Sequence, residues 1–167
     1  MTLSMHQASV PVFIRALTNL SNILKKGEAH AAAKGFEPAI LLGARLAPDM
    51  FSLTRQVQIA CDGCVRGAAR LAGAEIPSNP DVETSFADLQ ARIERTIAYL
   101  QTFGPDRIDG SEERQITIPL RDRTLEFTGR DFLLGFALPN IYFHVTAAYA
   151  ILRHNGVELG KGDFLGG

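Results

Sequence analysis

Residues 129–156 read GRDFLLGFALPNIYFHVTAAYAILRHNG, an apolar run with only scattered polar residues. Leu133, Phe136, Ala147 and Ile151 recur at helical spacing, and Asn140 and His144 fall on the same face, four residues apart. Residues at i and i+4 are stacked neighbours on a helix. The run is expected to form one long buried helix ending at Gly156. An imidazole and an amide set inside an apolar stripe must find partners, because an unpaired buried polar group costs about 1–3 kcal/mol. Something therefore lies across from Asn140 and His144: a metal, a ligand, or another side chain such as Gln56 or Tyr142.

The pattern repeats upstream. Val10, Phe13, Ile14, Leu17, Leu20 and Leu24 make an apolar stripe over about Leu3 to Lys26, with Gly27 as a stop. A second helix is expected from Pro48, a good first-turn residue, to Ala72. Its face carries Met50, Leu53, Val57, Cys61, Cys64, Ala68 and Leu71. A third runs from about Ser85, capped by Ser85 or Thr84, to Phe103. Phe86, Leu89, Ile93, Ile97 and Leu100 point inward, and Arg92, Glu94, Arg95 and Gln101 point to water. The stretch IPSNPD, 76–81, reads as a loop. Between 115 and 127 the period changes to two: Ile116, Ile118 and Leu120 alternate with other residues before Arg121-Asp122-Arg123, and Leu125 and Phe127 follow. This predicts a short β-hairpin at an edge, with Thr128 capping the last helix. The tail, VELGKGDFLGG, is Gly-rich and expected to be extended. The sum is an all-α four-helix bundle with an inserted hairpin, residues 1–167 forming one domain, and a crossover is allowed beside the third helix.

Composition narrows the function classes. A chain of 167 residues buries roughly 70% of its unfolded surface, enough for a core without staples. The net charge of −1 lacks the basic excess that a nucleic-acid partner or an anionic membrane selects. The apolar run at 132–152 is broken by Pro139, Asn140 and His144, so no membrane span is expected, and the N-terminus does not resemble a signal peptide. The two cysteines form a CxxC, Cys61 and Cys64, inside a helical pattern with no second pair. They read as small core residues in a reducing, cytoplasmic setting. Phosphate loops and Ser-His-Asp arrangements are absent as recognisable motifs. Arg45 and Asp49, flanking Pro48, are expected to cap the helix or to pair at the mouth of the bundle.

Three blocks carry a family resemblance: PDMFSLTRQVQIACD, TSFADLQARIERTIAYL and PNIYFHVTAAYAILRHNGVELGKGDFLG. Together they resemble the DUF1993 family of the DinB/YfiT-like superfamily of metalloenzyme-type bundles. The resemblance covers nearly the whole chain. It implies a four-helix bundle, often a homodimer. It also implies a divalent-metal position formed by one histidine of the second helix and an HxxxH of the last, shortly before an LRxNG-like end. Here that ending is Leu152-Arg153-His154-Asn155-Gly156, which puts the HxxxH positions on Asn140 and His144. The second helix has no histidine, and Gln56, Gln58 and Asp62 occupy the corresponding region, Gln56 matching best. Amide oxygens are weak ligands for divalent transition metals. The expectation is therefore no tightly bound metal or other cofactor. At most a weakly held divalent ion would sit on His144, Asn140, Gln56 and Asp62, and the candidate small-ligand pocket comprises Gln56, Asn140, His144, Asp49, Arg45 and Tyr142. The alternative is a metal-dependent hydrolase or thiol S-transferase, by analogy with the superfamily.

Overall fold

The computed structural model describes residues 3–167, and its core is a bundle of four long helices. Helix α1, Met5–Ala8, leads into α2, Val10–Lys34. A short α3, Ala39–Gly43, precedes α4, Leu53–Ala72, and α5 covers Phe86–Leu100. Then come α6, Pro105–Ile108, the strands β1, Gln115–Pro119, and β2, Thr124–Thr128, and α7, Gly129–Phe132. A π-helical turn, Leu133–Ala137, joins α7 to α8, Leu138–His154, and α9, Lys161–Leu165, closes the chain.

Side-chain contacts define the helix directions. Gln56 meets His144, whereas Gly63 lies on Ile141 and Gly67 near Ala137, so α4 and α8 are antiparallel. Ser21 bonds Gln90, and Gly27 lies against Phe86 and Leu152; α2 therefore runs against α5 and alongside α8. Helices α4 and α5 are parallel: Asp62 meets Arg92 near the middle of each, and Tyr99 near the end of α5 reaches the carbonyl of Glu75, just past the end of α4. The order is up-down-down-up. The connection from Gly73 to Ser85 must therefore travel back along the α4–α5 groove, the crossover that sequence alone left open.

Several sequence expectations are corrected. Gly27 does not stop α2. It sits inside the helix, where the absence of a Cβ lets Leu152 of α8 approach; a Cβ there would lie 2.9 Å from Leu152 Cδ2. The stop is Gly35, at φ 72°, in the left-handed region where glycine is unstrained. Helix α4 begins at Leu53 after Ser52, not at Pro48, because residues 44–51 form an irregular turn whose Ala44 carbonyl accepts from Leu53 N–H. Arg92 does not face water. It is fully buried and is among the largest side chains in the interior. The tail is not wholly extended: Lys161–Leu165 is helical and docks on α2, with Asn19 donating to the Phe164 carbonyl and Lys26 pairing with Asp163.

The hairpin forms as read, with Ile116 opposite Phe127 and Ile118 opposite Leu125. Ile116 and Ile118 are buried, and Leu125 and Phe127 are half-buried against the core. Ser85 caps α5 through a reciprocal capping box with Asp88, and Thr128 caps α7. The last helix differs from an unbroken one. Pro139 lacks an N–H and its ring crowds the carbonyl four residues back. The turn before it is widened, and the Leu138 N–H reaches Leu133 O, five residues back.

A methyl group tests the packing at the start of α7. At Gly129 a Cβ would stand 1.9 Å from the Ser111 carbonyl oxygen, a backbone atom that cannot rotate away. Gly129→Ala is expected to lose about 1–3 kcal/mol or more to overpacking. At Gly135, inside the π turn, the same Cβ meets nothing within 4 Å. Gly135→Ala is expected to be neutral or to gain about 0.5–1 kcal/mol from backbone entropy. Chemical denaturation of the two variants should show opposite or clearly unequal shifts, and equal losses would contradict this packing.

Candidate functional site

The site centres on one pair of side chains. His144 on α8 is only 8% exposed, and its Nδ1 lies 2.7 Å from Oε1 of Gln56 on α4. The Gln56 amide is oriented by its other end, where Nε2 donates to the Phe51 carbonyl at 3.3 Å. A carbonyl only accepts, so the amide nitrogen must face Phe51 and the amide oxygen must face the imidazole. That oxygen also only accepts, so His144 carries its proton on Nδ1 and the lone pair on Nε2. Burial, and then the nearby Arg55 guanidinium, hold the His144 pKa below its usual value, and the ring is neutral at pH 7. The arrangement is a fixed-tautomer imidazole with one free basic nitrogen.

The other expected residues are placed differently. Asn140 is half-buried one turn before His144 and lies over Gly63, its Nδ2 3.5 Å from where a Cβ would stand. It makes no hydrogen bond to His144 or Gln56. Tyr142 is 40% exposed, on the outer face of α8. Arg45 and Asp49 are both exposed; Arg45 donates to the Met50 carbonyl, and no ion pair joins it to Asp49 among the described residues. Asp62 is directed to α5, where it binds Arg92 at 2.7 Å. Of the expected set, only Gln56 and His144 are brought into contact.

This donor set does not fit a tight transition-metal centre. Such a centre requires at least three good ligands. His144 Nε2 is a single one, and the Gln56 oxygen is occupied by Nδ1–H. Among the described residues no group of three His, Cys, Asp or Glu side chains converges. Gln56 accepts from Nδ1–H and so fixes the orientation and tautomer of the imidazole, as carboxylates and carbonyls do for metal-bound histidines.

A second polar centre went unrecognised in the sequence. Arg92 spans Glu83, through Nη1 at 2.9 Å, and Asp62 and Asp81, through Nη2 at 2.7 and 3.0 Å. Its Nη1 also donates to the Pro80 carbonyl, and Gln58 donates to Glu83. Burial opposes the charge on Arg92, but Asp62 and Glu83 more than compensate and keep it ionised. Burial likewise pushes Glu83 up, yet hydrogen bonds from Gln58, the backbone and Arg92 leave it below the usual carboxylate range. The helical wheel contained a signal: Arg92 and Thr96 lie three and seven residues after the inward-facing Leu89.

The geometry defines a DinB-like helical bundle with a buried His–amide pair between two of its long helices. A crystal structure of a DinB family member protein from Shewanella denitrificans superimposes with a TM-score of 0.88 at 42% identity, covering 97% of this chain and 92% of that one. The chain belongs to the DUF1993 family, a domain of unknown function whose sequence profile matches residues 5–165. No curated protein matches it.

Removing the imidazole strands the Gln56 oxygen. His144→Leu is expected to cost about 1–3 kcal/mol, less than His144→Ala, which leaves a cavity as well. Adding Gln56→Met should recover most of the loss, because both partners are then apolar; a double-mutant cycle that is simply additive would break the pairing. The pH dependence follows from the lowered pKa. The unfolded chain protonates His144 first as pH falls through about 6.5, so the stabilisation is complete above that value. It is lost as pH drops through the lower folded value. The stability gap between wild type and His144→Leu should shrink over that window and stay constant above it, as urea titrations across pH would show.

Proposed function

We propose that this protein is a non-catalytic, small-ligand-binding bundle in which the metal position of DinB-like relatives has become a His–amide lock. The observation that carries this is the Gln56–His144 bond with the amide anchored on Phe51, which leaves one acceptor nitrogen and no further ligand. A neutral imidazole so held suits a hydrogen-bond donor. Phe143 and Ala147, which flank His144 on α8, line an apolar hollow of about 350 Å³ bounded also by Leu46, Met50 and Tyr142. The ligand class that fits is an apolar body bearing a single hydroxyl or N–H donor.

A homodimer over the outer face of α8 is part of this reading. Gly129–His154 is long and apolar enough to cross a membrane by length and composition, and less than half of its most apolar stretch is buried within the chain. Phe143 is 58% exposed and Leu134 57%. A patch of this kind is a common mark of a protein–protein surface. A second copy there would roof the same hollow. The net charge of −1 supports no nucleic-acid partner, and the free, buried Cys61 and Cys64 suit a reducing cytoplasm.

Elemental analysis of protein purified without chelators or metal-affinity steps is expected to show substoichiometric zinc and nickel. Nitrogen-15 spectra of the His144 ring should show the Nδ1–H tautomer at pH 7, and titration with phenol should shift Nε2 saturably in wild type. Stoichiometric metal on His144 would overturn this reading in favour of a metal-dependent hydrolase or thiol S-transferase, with metal-bound water or thiol as the reactive species.

A further inference from the structure

The crossover between the parallel helices α4 and α5 is held in an unusual way. Residues 75–84 have no regular secondary structure and make no backbone–backbone hydrogen bond. Ile76 and Val82 are exposed, and the one buried residue of the stretch is a carboxylate, Glu83. No apolar side chain anchors it. Its attachments are polar: Arg92 to Pro80, Asp81 and Glu83, Arg55 to Asp81, Arg95 and Gln58 to Glu83, Asn79 to Asp62, and Tyr99 to the Glu75 carbonyl.

The packing beneath is open. On the α4 side a hollow of about 210 Å³ lies between residues 76–79 and Asp62, Val65 and Arg66. On the α5 side a hollow of about 270 Å³ lies between residues 77–79 and Val65, Arg95, Thr96 and Tyr99. Both reach Val65, so residues 77–79 form the partition between them. Cys61, the residue before Asp62 on α4, is fully buried, and Thr96 and Arg92 of α5 are near enough to act on its thiol. Cys64, one turn on, is also fully buried, but burial and Cys61 alone perturb it.

We propose that residues 75–84 are an ion-latched strap that swings off the α4–α5 groove as a unit, with Arg92 and Glu83 as the latch and Cys61 as the side chain it guards. A segment without apolar anchors or backbone bonds belongs to the low-stability end of a fold and opens without global unfolding. Once it lifts, the two hollows merge into one cleft that holds Arg92, Asp62, Thr96 and Cys61. Closed, burial pushes the Cys61 thiol up to about 12 and keeps it inert. Open, the thiol gains solvent while keeping a guanidinium beside it, the setting in which thiolates form. Four cations, Arg55, Arg66, Arg92 and Arg95, and three anions, Asp62, Asp81 and Glu83, make up the latch and its rim. Loss of Glu83, the most buried of the three anions, would release it.

N-ethylmaleimide labelling of the native protein, with each cysteine quantified by peptide mass spectrometry, separates strap opening from unfolding. Strap opening exposes Cys61 and leaves Cys64 in the core; global unfolding exposes both. In wild type Cys61 is expected to react at least about tenfold faster than Cys64. Glu83→Gln keeps the size and the acceptor for Gln58 but removes the charge opposite Arg92, and should speed Cys61 by a further factor of about ten or more without accelerating Cys64. Equal rates for the two cysteines, no labelling of Cys61, or an unchanged rate in a folded Glu83→Gln protein would each overturn the proposal. If that variant does not fold, the wild-type ratio decides.

Discussion

The parallel course of α4 and α5 depends on one guanidinium. Two neighbouring helices that run the same way need a connection that returns along their length, and here it does so without burying an apolar side chain. Arg92 supplies the anchor: it is fully buried, and every anion it binds is either on the returning segment or on α4. A lone buried cation would be strongly disfavoured; three carboxylates at the two Nη groups of Arg92 balance its charge, while its buried Nε–H has no partner among the described residues. The geometry also explains the exposed remainder of the crossover. Once Glu83 and Asp81 are held, the other residues need only span a distance. Truncating one member of such a cluster strands the others, so its effects are expected to be non-additive.

The fold was legible where hydrophobic period and capping chemistry agreed. The stripe on α5, its Ser85 cap, and the period-two alternation at Ile116, Ile118, Leu125 and Phe127 all correspond to the structure. Legibility failed where tertiary contact overrode a local signal. Gly27 looks like a terminator, yet helix–helix approach at Leu152 requires a residue without a Cβ inside the helix. Pro48 looks like a helix start, yet residues 44–51 first turn the chain into position. Arg92 looks like a solvent residue because arginine is rarely fully buried; its partners are an aspartate thirty residues upstream on α4 and two acids in an irregular segment, and no local pattern links them.

The candidate site was partly legible for a related reason. His144 stood out as a polar residue in an apolar stripe, and Gln56 stood out as the residue matching the family's polar position on the second helix. The difference in role between them was not visible. A one-dimensional match treats Gln56 as a replacement ligand, but the Phe51 carbonyl turns its amide so that the oxygen receives the imidazole N–H. Asn140, one helical turn from His144, faces Gly63 instead, because α8 crosses α4 where that glycine allows close approach. Two residues on one helical face need not point to one centre.

The two polar centres on α4 place opposite demands on the same helix. Gln56 faces α8 and supports a neutral pair, in which burial and Arg55 both disfavour a proton on His144. Gln58 and Asp62 face α5 and support a charged cluster. Arg55 stands between them, close enough to His144 to lower its pKa and paired on its other side with Asp81 of the crossover. Arg55 therefore borders both centres: it donates to Gln58 and pairs with Asp81 on the charged side, and on the other side its charge adds to the burial that keeps His144 neutral.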